Sequence, residues 1–132
     1  MLRLTVAVDL HGVLCAHPEG SKGATEPDWP EVPGAIDWLK ALSARFAVVV
    51  VSARFARPGR EGAEALAAAR YWLWRRGVPM AWMLPGERGE PARITLAAFK
   101  PPCHLWIDDR AWTFDGRFPT DAEIDSFKPW NR

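Results

Sequence analysis

At 132 residues the chain is long enough for one globular domain and too short for two, and its 48% hydrophobic and 25% charged content excludes a disordered segment. Seventeen basic side chains against sixteen acidic ones leave a formal charge of +1, so no global field draws the protein to nucleic acid or to an anionic membrane. Two cysteines are too few for a disulfide scaffold and lack metal-type spacing, so Cys15 and Cys103 are read as reduced, non-catalytic thiols.

In chain order, residues 4–8 form a continuous apolar, β-branched run that ends in Asp9, the pattern of a strand buried on both faces. The run is too brief for a signal peptide and too polar at its end for a membrane span, so a cytoplasmic protein is expected. A long loop follows at 11–32, a size that suits a lid or a binding element. The spacing of Ile36, Leu39 and Leu42 predicts a helix over 33–44, with Pro33 in its first turn. Residues 47–51 repeat the buried-strand pattern and end at Ser52.

Residues 60–76 predict an Ala-rich helix, with Leu66, Ala69 and Leu73 along one stripe and Gly77 as its stop. Trp72 and Trp74, two apart on that helix, cannot both face the same core, so one of them marks a contact with a partner or a second copy. A further strand is expected at 80–84 between Pro79 and Pro85, then a Gly- and Pro-rich loop at 85–92. Residues 104–107 form another strand, ending in Asp108 and Asp109. Thr120 and Glu123 have capping-box spacing ahead of a short helix holding Ile124 and Phe127. The alternation predicts an α/β fold: a single Rossmann-like three-layer domain over 1–132, with a mostly parallel central sheet and no separate cap domain.

Ligands of such sheets bind beyond the carboxyl ends of the strands, where strand order reverses. Asp9, Ser52, Asp108 and Asp109 all fall there. Two carboxylates about 4 Å apart repel by ~4 kcal/mol at an effective dielectric near 20, so a cation or a proton has to relieve them. Hard oxygen donors without clustered His or Cys favour Mg2+, which takes one or two carboxylates, waters and a phosphate oxygen. Bland roles remain open for the individual residues. Asp9 and Ser52 are also turn and cap formers, and Lys100, before Pro101 and Pro102, is also a solvated loop lysine. Arg54, Arg57 and Arg60 suit a nucleotide phosphate or a polynucleotide backbone, and equally a solvated loop.

The run Val8-Asp9-Leu10-His11-Gly12-Val13 resembles the first motif of the haloacid dehalogenase (HAD) superfamily, DxDG[TV], with His11 where the second Asp usually stands. Val50-Val51-Ser52 resembles the second motif, Lys100 the third-motif lysine, and Ile107-Asp108-Asp109-Arg110 the fourth. The resemblance implies a HAD-like fold and a Mg2+-dependent phosphatase or phosphotransferase that works on a phosphomonoester through an aspartyl phosphate. On that reading Asp9 is the nucleophile, and Ser52, Lys100 and Arg54 bind the phosphorylated substrate. Asp9, Asp108 and the backbone carbonyl of His11 hold Mg2+, with Asp109 in support. The His11 imidazole, with an ordinary pKa of ~6.5, takes the acid and base duty of the missing aspartate. The alternative is a catalytically impaired HAD-like phosphate- or nucleotide-binding module, which the histidine favours. An uncapped site suits a large substrate such as a polynucleotide end or a phosphoprotein, with a nucleotide also a candidate, no membrane involved and a homo-oligomer compatible.

Overall fold

The computed structural model describes residues 4–16, 27–78, 80 and 94–130. The first apolar run becomes strand β1 (Thr5–Asp9), which carries Asp9 as its own last residue. Helix α1 (Ala35–Ser43) starts two residues inside the expected span because Gly34, at φ +82°, makes the turn into it. Glycine offers no side-chain cap, and the Glu31 carboxylate instead accepts the Ile36 N–H at 2.9 Å. Strand β2 (Ala47–Val51) matches its expected limits and leads through a 3-10 turn, Ala53–Ala56, into helix α2 (Arg60–Arg75). That helix ends in a Schellman motif: Gly77, at φ +75°, donates to the Trp74 carbonyl at 2.9 Å, and Val78 donates to that of Leu73 at 3.1 Å.

A strand that the sequence did not announce, β3 (Ile94–Ala97), pairs in parallel with β2. Of the strand expected at 80–84, Met80 forms a parallel bridge with Ile94, and 81–84 lie outside the described residues, as does the loop at 85–92. Strand β4 (Leu105–Ile107) pairs with β1, and helix α3 (Asp121–Ser126) carries the expected capping box between Thr120 and Glu123. No helix among the described residues is long and apolar enough to cross a membrane.

All four strands run parallel, in the order β3-β2-β1-β4, so the fold is α/β as expected. The chain steps outward from β1 through β2 to β3, then returns to the far side of β1 for β4. Strand order therefore reverses between β1 and β4, which is where a doubly wound sheet opens a crevice. One sheet face carries Val6, Val8, Val48, Val50 and Ile94, and they pack with Ile36 and Leu39 of α1 and Ala69, Trp72 and Leu73 of α2. Both helices thus lie over the same face. The opposite face presents Ala7 and Val51, which are buried, beside half-buried Val49, Ala97 and Trp106. The result holds the carboxyl ends of β1, β2 and β4 in fixed register.

Candidate functional site

Register alone brings the acids together. Val8 lies beside Ile107 across β1 and β4, so Asp108 emerges level with Asp9, while Asp9 itself lies beside Val51 of β2. Neighbouring strands sit about 4.8 Å apart, and carboxylate oxygens of Asp9, Asp108 and Asp109 all lie within 4.8 Å of one another. Asp109 is buried and the other two are half-buried. Asp108 is fixed by the Arg110 backbone N–H, which donates to its Oδ1 at 2.9 Å.

The electrostatic result is strong. Burial first, then the Asp108 and Asp109 charges and a hydrogen bond with Asp109, push the Asp9 carboxyl from 3.8 up to about 7, against a smaller pull from the Leu10 amide. Near neutral pH the trio holds a proton or a cation. Three hard oxygen donors at this spacing could hold a metal ion, and the donor set fits Mg2+ better than a metal that selects nitrogen or sulfur.

Ser52 follows Val51 and is only 3% exposed. Its backbone N–H donates to the Ala97 carbonyl at 3.2 Å, which ties it to the end of β3. Its Oγ accepts the Arg54 N–H at 3.3 Å and caps the 3-10 turn, which leaves the hydroxyl proton to donate. Arg54 is half-buried in that turn, and burial, then Arg57, lower its pKa, with Cys15 acting in the opposite direction. The turn lies hard against the start of α2: a Cβ on Gly62 would come within 2.1 Å of the Arg57 carbonyl oxygen and 2.9 Å of that of Phe55. Lys100 is solvent-exposed, three residues past the end of β3.

His11 is placed differently from the acids. Its ring is 4% exposed, with Nδ1 3.4 Å from the Cys15 Sγ and its edge set against Trp29 at 4.6 Å between centroids. Trp29 is in turn fixed by α2, since the Trp72 Nε1 donates to its carbonyl oxygen at 2.9 Å. Burial first, then the Asp9 charge, push the Cys15 thiol up to about 12, which favours its protonated form. Cys103 is also free.

The long loop at 11–32 is zipped at its base, where Ala16 donates to the Pro30 carbonyl at 2.9 Å and Val32 to that of Leu14 at 3.0 Å. Residues 17–26 lie outside the described part. A further anchor comes from Trp130, whose Nε1 donates to the Gly12 carbonyl at 2.9 Å across 118 positions. Neither the Trp29 wall beside His11 nor the Trp130 anchor follows from any local pattern. Both depend on loop closure, for which the count of eight tryptophans is the one hint in the sequence.

No family model matches the sequence, and no curated protein matches it. Among solved structures, a D,D-heptose 1,7-bisphosphate phosphatase from B. bronchiseptica, complexed with magnesium and phosphate, aligns at a TM-score of 0.40 and 18% identity. The alignment covers 74% of this chain and 51% of that one, so the chain spans about half the length of the enzyme it matches. At that degree of similarity neither family nor activity follows.

Proposed function

We propose that the protein is a HAD-like, Mg2+-dependent phosphatase or phosphotransferase that acts on a phosphomonoester. The observation that carries this reading is the meeting of Asp9, Asp108 and Asp109 within 4.8 Å at the strand-order reversal, next to the end of β2 where Ser52 is buried. The four motif resemblances run through the same residues.

On this reading an Asp9 carboxylate oxygen attacks phosphorus, the bond to the leaving oxygen breaks, and an aspartyl phosphate forms on Asp9. The leaving oxygen takes a proton from the His11 imidazole, and water, giving a proton back to that ring, then attacks the aspartyl phosphate to release inorganic phosphate and free Asp9. Ser52 donates its hydroxyl proton to a phosphoryl oxygen, while Lys100 and Arg54 supply positive charge to the others. Asp9, Asp108 and the His11 backbone carbonyl would hold Mg2+, which would supply charge neutralisation at the transferring group. Asp109 supports the set by its hydrogen bond to Asp9. The substrate class we favour is a nucleotide or a polynucleotide end, handled in the cytoplasm. Phosphate release from an aryl phosphate and a nucleotide panel tests the reading: Mg2+-dependent turnover lost in Asp9→Asn is expected, and a wild type no faster than that variant sinks it.

The buried His11 ring favours a second reading, a phosphate- or nucleotide-binding module with impaired catalysis. A ring packed on Trp29 and Cys15 is poorly placed to shuttle protons, a duty worth ~10²- to 10⁴-fold in rate. Calorimetry with a phosphate analogue, run beside kinetics, separates the two. Binding without turnover supports the module. A rate gain in His11→Asp supports an impaired enzyme, and a loss supports the imidazole as catalyst.

A further inference from the structure

The outward side of α2 sets two large aromatic rings among the charged residues of a solvated helix face. The helix buries Gly62, Ala65, Ala68, Ala69, Trp72 and Leu73, and at about 100° per residue Ala67 lies opposite the centre of that stripe. Within ~60° of Ala67 the same geometry places Arg60, Ala63, Glu64, Arg70, Tyr71 and Trp74, and every one of these is solvent-exposed. Tyr71 is 47% and Trp74 52% exposed, with their rings 6.1 Å apart. Together with Ala67 and Arg70 they line a surface concavity of about 330 Å³. Two large rings on an open helix face, beside two alanines that allow close approach, make a contact surface with one side missing.

The pattern is complementary to itself. Positions 60, 64, 67, 71 and 74 step alternately by four and three, the seam of a two-helix coil. A two-fold axis at Ala67 that sets a second α2 antiparallel pairs positions equally far on either side of it. Ala67 then meets Ala67. Arg60 and Trp74, each seven positions away, meet each other twice, guanidinium over indole. Glu64 and Tyr71 share one flank at nearly equal distances, so the phenol O–H of one copy reaches the carboxylate of the other. In that pairing the Arg60 stem of the second copy would overlie the concavity. Arg60 pairs with Glu64 at 3.0 Å while its side chain stays 91% exposed, so both charges are open to a second copy. A net charge of +1 adds no long-range repulsion between copies.

We propose that the protein self-associates through α2, two copies packing their Ala67-centred stripes antiparallel about a two-fold axis. A 16-residue helix is ~24 Å long, which sets the contact near the lower end of specific interfaces, ~1,000 to 1,200 Å² in total. A dissociation constant in the micromolar range is expected. Sedimentation of the full chain from ~1 to ~200 µM should show a monomer–dimer equilibrium, weakened at least ~10-fold in both Ala67→Glu and Trp74→Glu. At these exposed positions helix content and the melting temperature of the monomer, measured at the dilute end of that range, should match the wild type. In a Cys103→Ser background, Ala67→Cys should cross-link on oxidation. A wild type that stays monomeric throughout overturns the proposal and leaves the face to a partner of another kind. A dimer that neither glutamate weakens overturns it too. A dimer weakened by both but never cross-linked through position 67 overturns the antiparallel pairing.

Discussion

Burial and two acid neighbours keep the Asp9 carboxyl near 7 rather than 3.8, so the metal-free folded chain binds a proton there that the unfolded chain has released. The sign follows. A raised folded-state pKa gives stability that is complete below about pH 4 and is lost as pH rises through about 7. In chelator, Asp9→Asn, which cannot ionise, should melt with the wild type at low pH and above it at pH 8. Melting curves of both proteins across that range check this, and parallel curves would show that Asp9 is not strained. At His11 the expectation concerns packing. His11→Asp puts a carboxylate against Trp29 at a site 4% exposed, so it should lower stability by ~1 to 3 kcal/mol, whatever it does to turnover. The acids were legible because each ends an apolar run. The burial of His11 was not, because its neighbours Cys15 and Trp29 reach it only after the loop has closed.

Elements differ in how far local pattern fixes them. Strands β1 and β2 are continuous β-branched runs, and α2 has a clear stripe, a glycine stop and one buried and one exposed tryptophan, so each was readable. Strand β3 was not. Its four residues, Ile94 to Ala97 in sequence ITLA, stand beside alanines, and they become a strand because the edge of β2 needs backbone partners. The opening of α2 was equally silent. Gly62 looks like a helix-weakening residue, yet the Arg57 and Phe55 carbonyls occupy the space of its missing side chain. Gly62→Ala should therefore cost ~1 to 3 kcal/mol in denaturant unfolding instead of stabilising the helix. It should also weaken phosphate binding, because the displaced turn carries the Ser52 cap and Arg54. A gain in stability would show that the turn yields freely.

At the scale of the molecule, the site exists because strand order reverses beside β1. Asp9 and Asp108 are 99 positions apart, and no local signal brings them together; alternating elements and an expected parallel sheet do. Cation binding should couple to the whole fold. Mg2+ at ~100 times its dissociation constant should add ~2.7 kcal/mol, with most of that lost in Asp108→Asn. Thermal melts with Mg2+, against potassium chloride at matched ionic strength, measure the difference, and equal shifts in both salts would remove the cation from the account.

The Trp130–Gly12 bond joins the loop behind Asp9 to an arm more than a hundred positions later. That link makes the arm a lever on the loop. Trypsin cleavage after Arg117, an exposed site on the arm, should cut the lever, and its rate should report from a distance whether the acidic crevice is loaded.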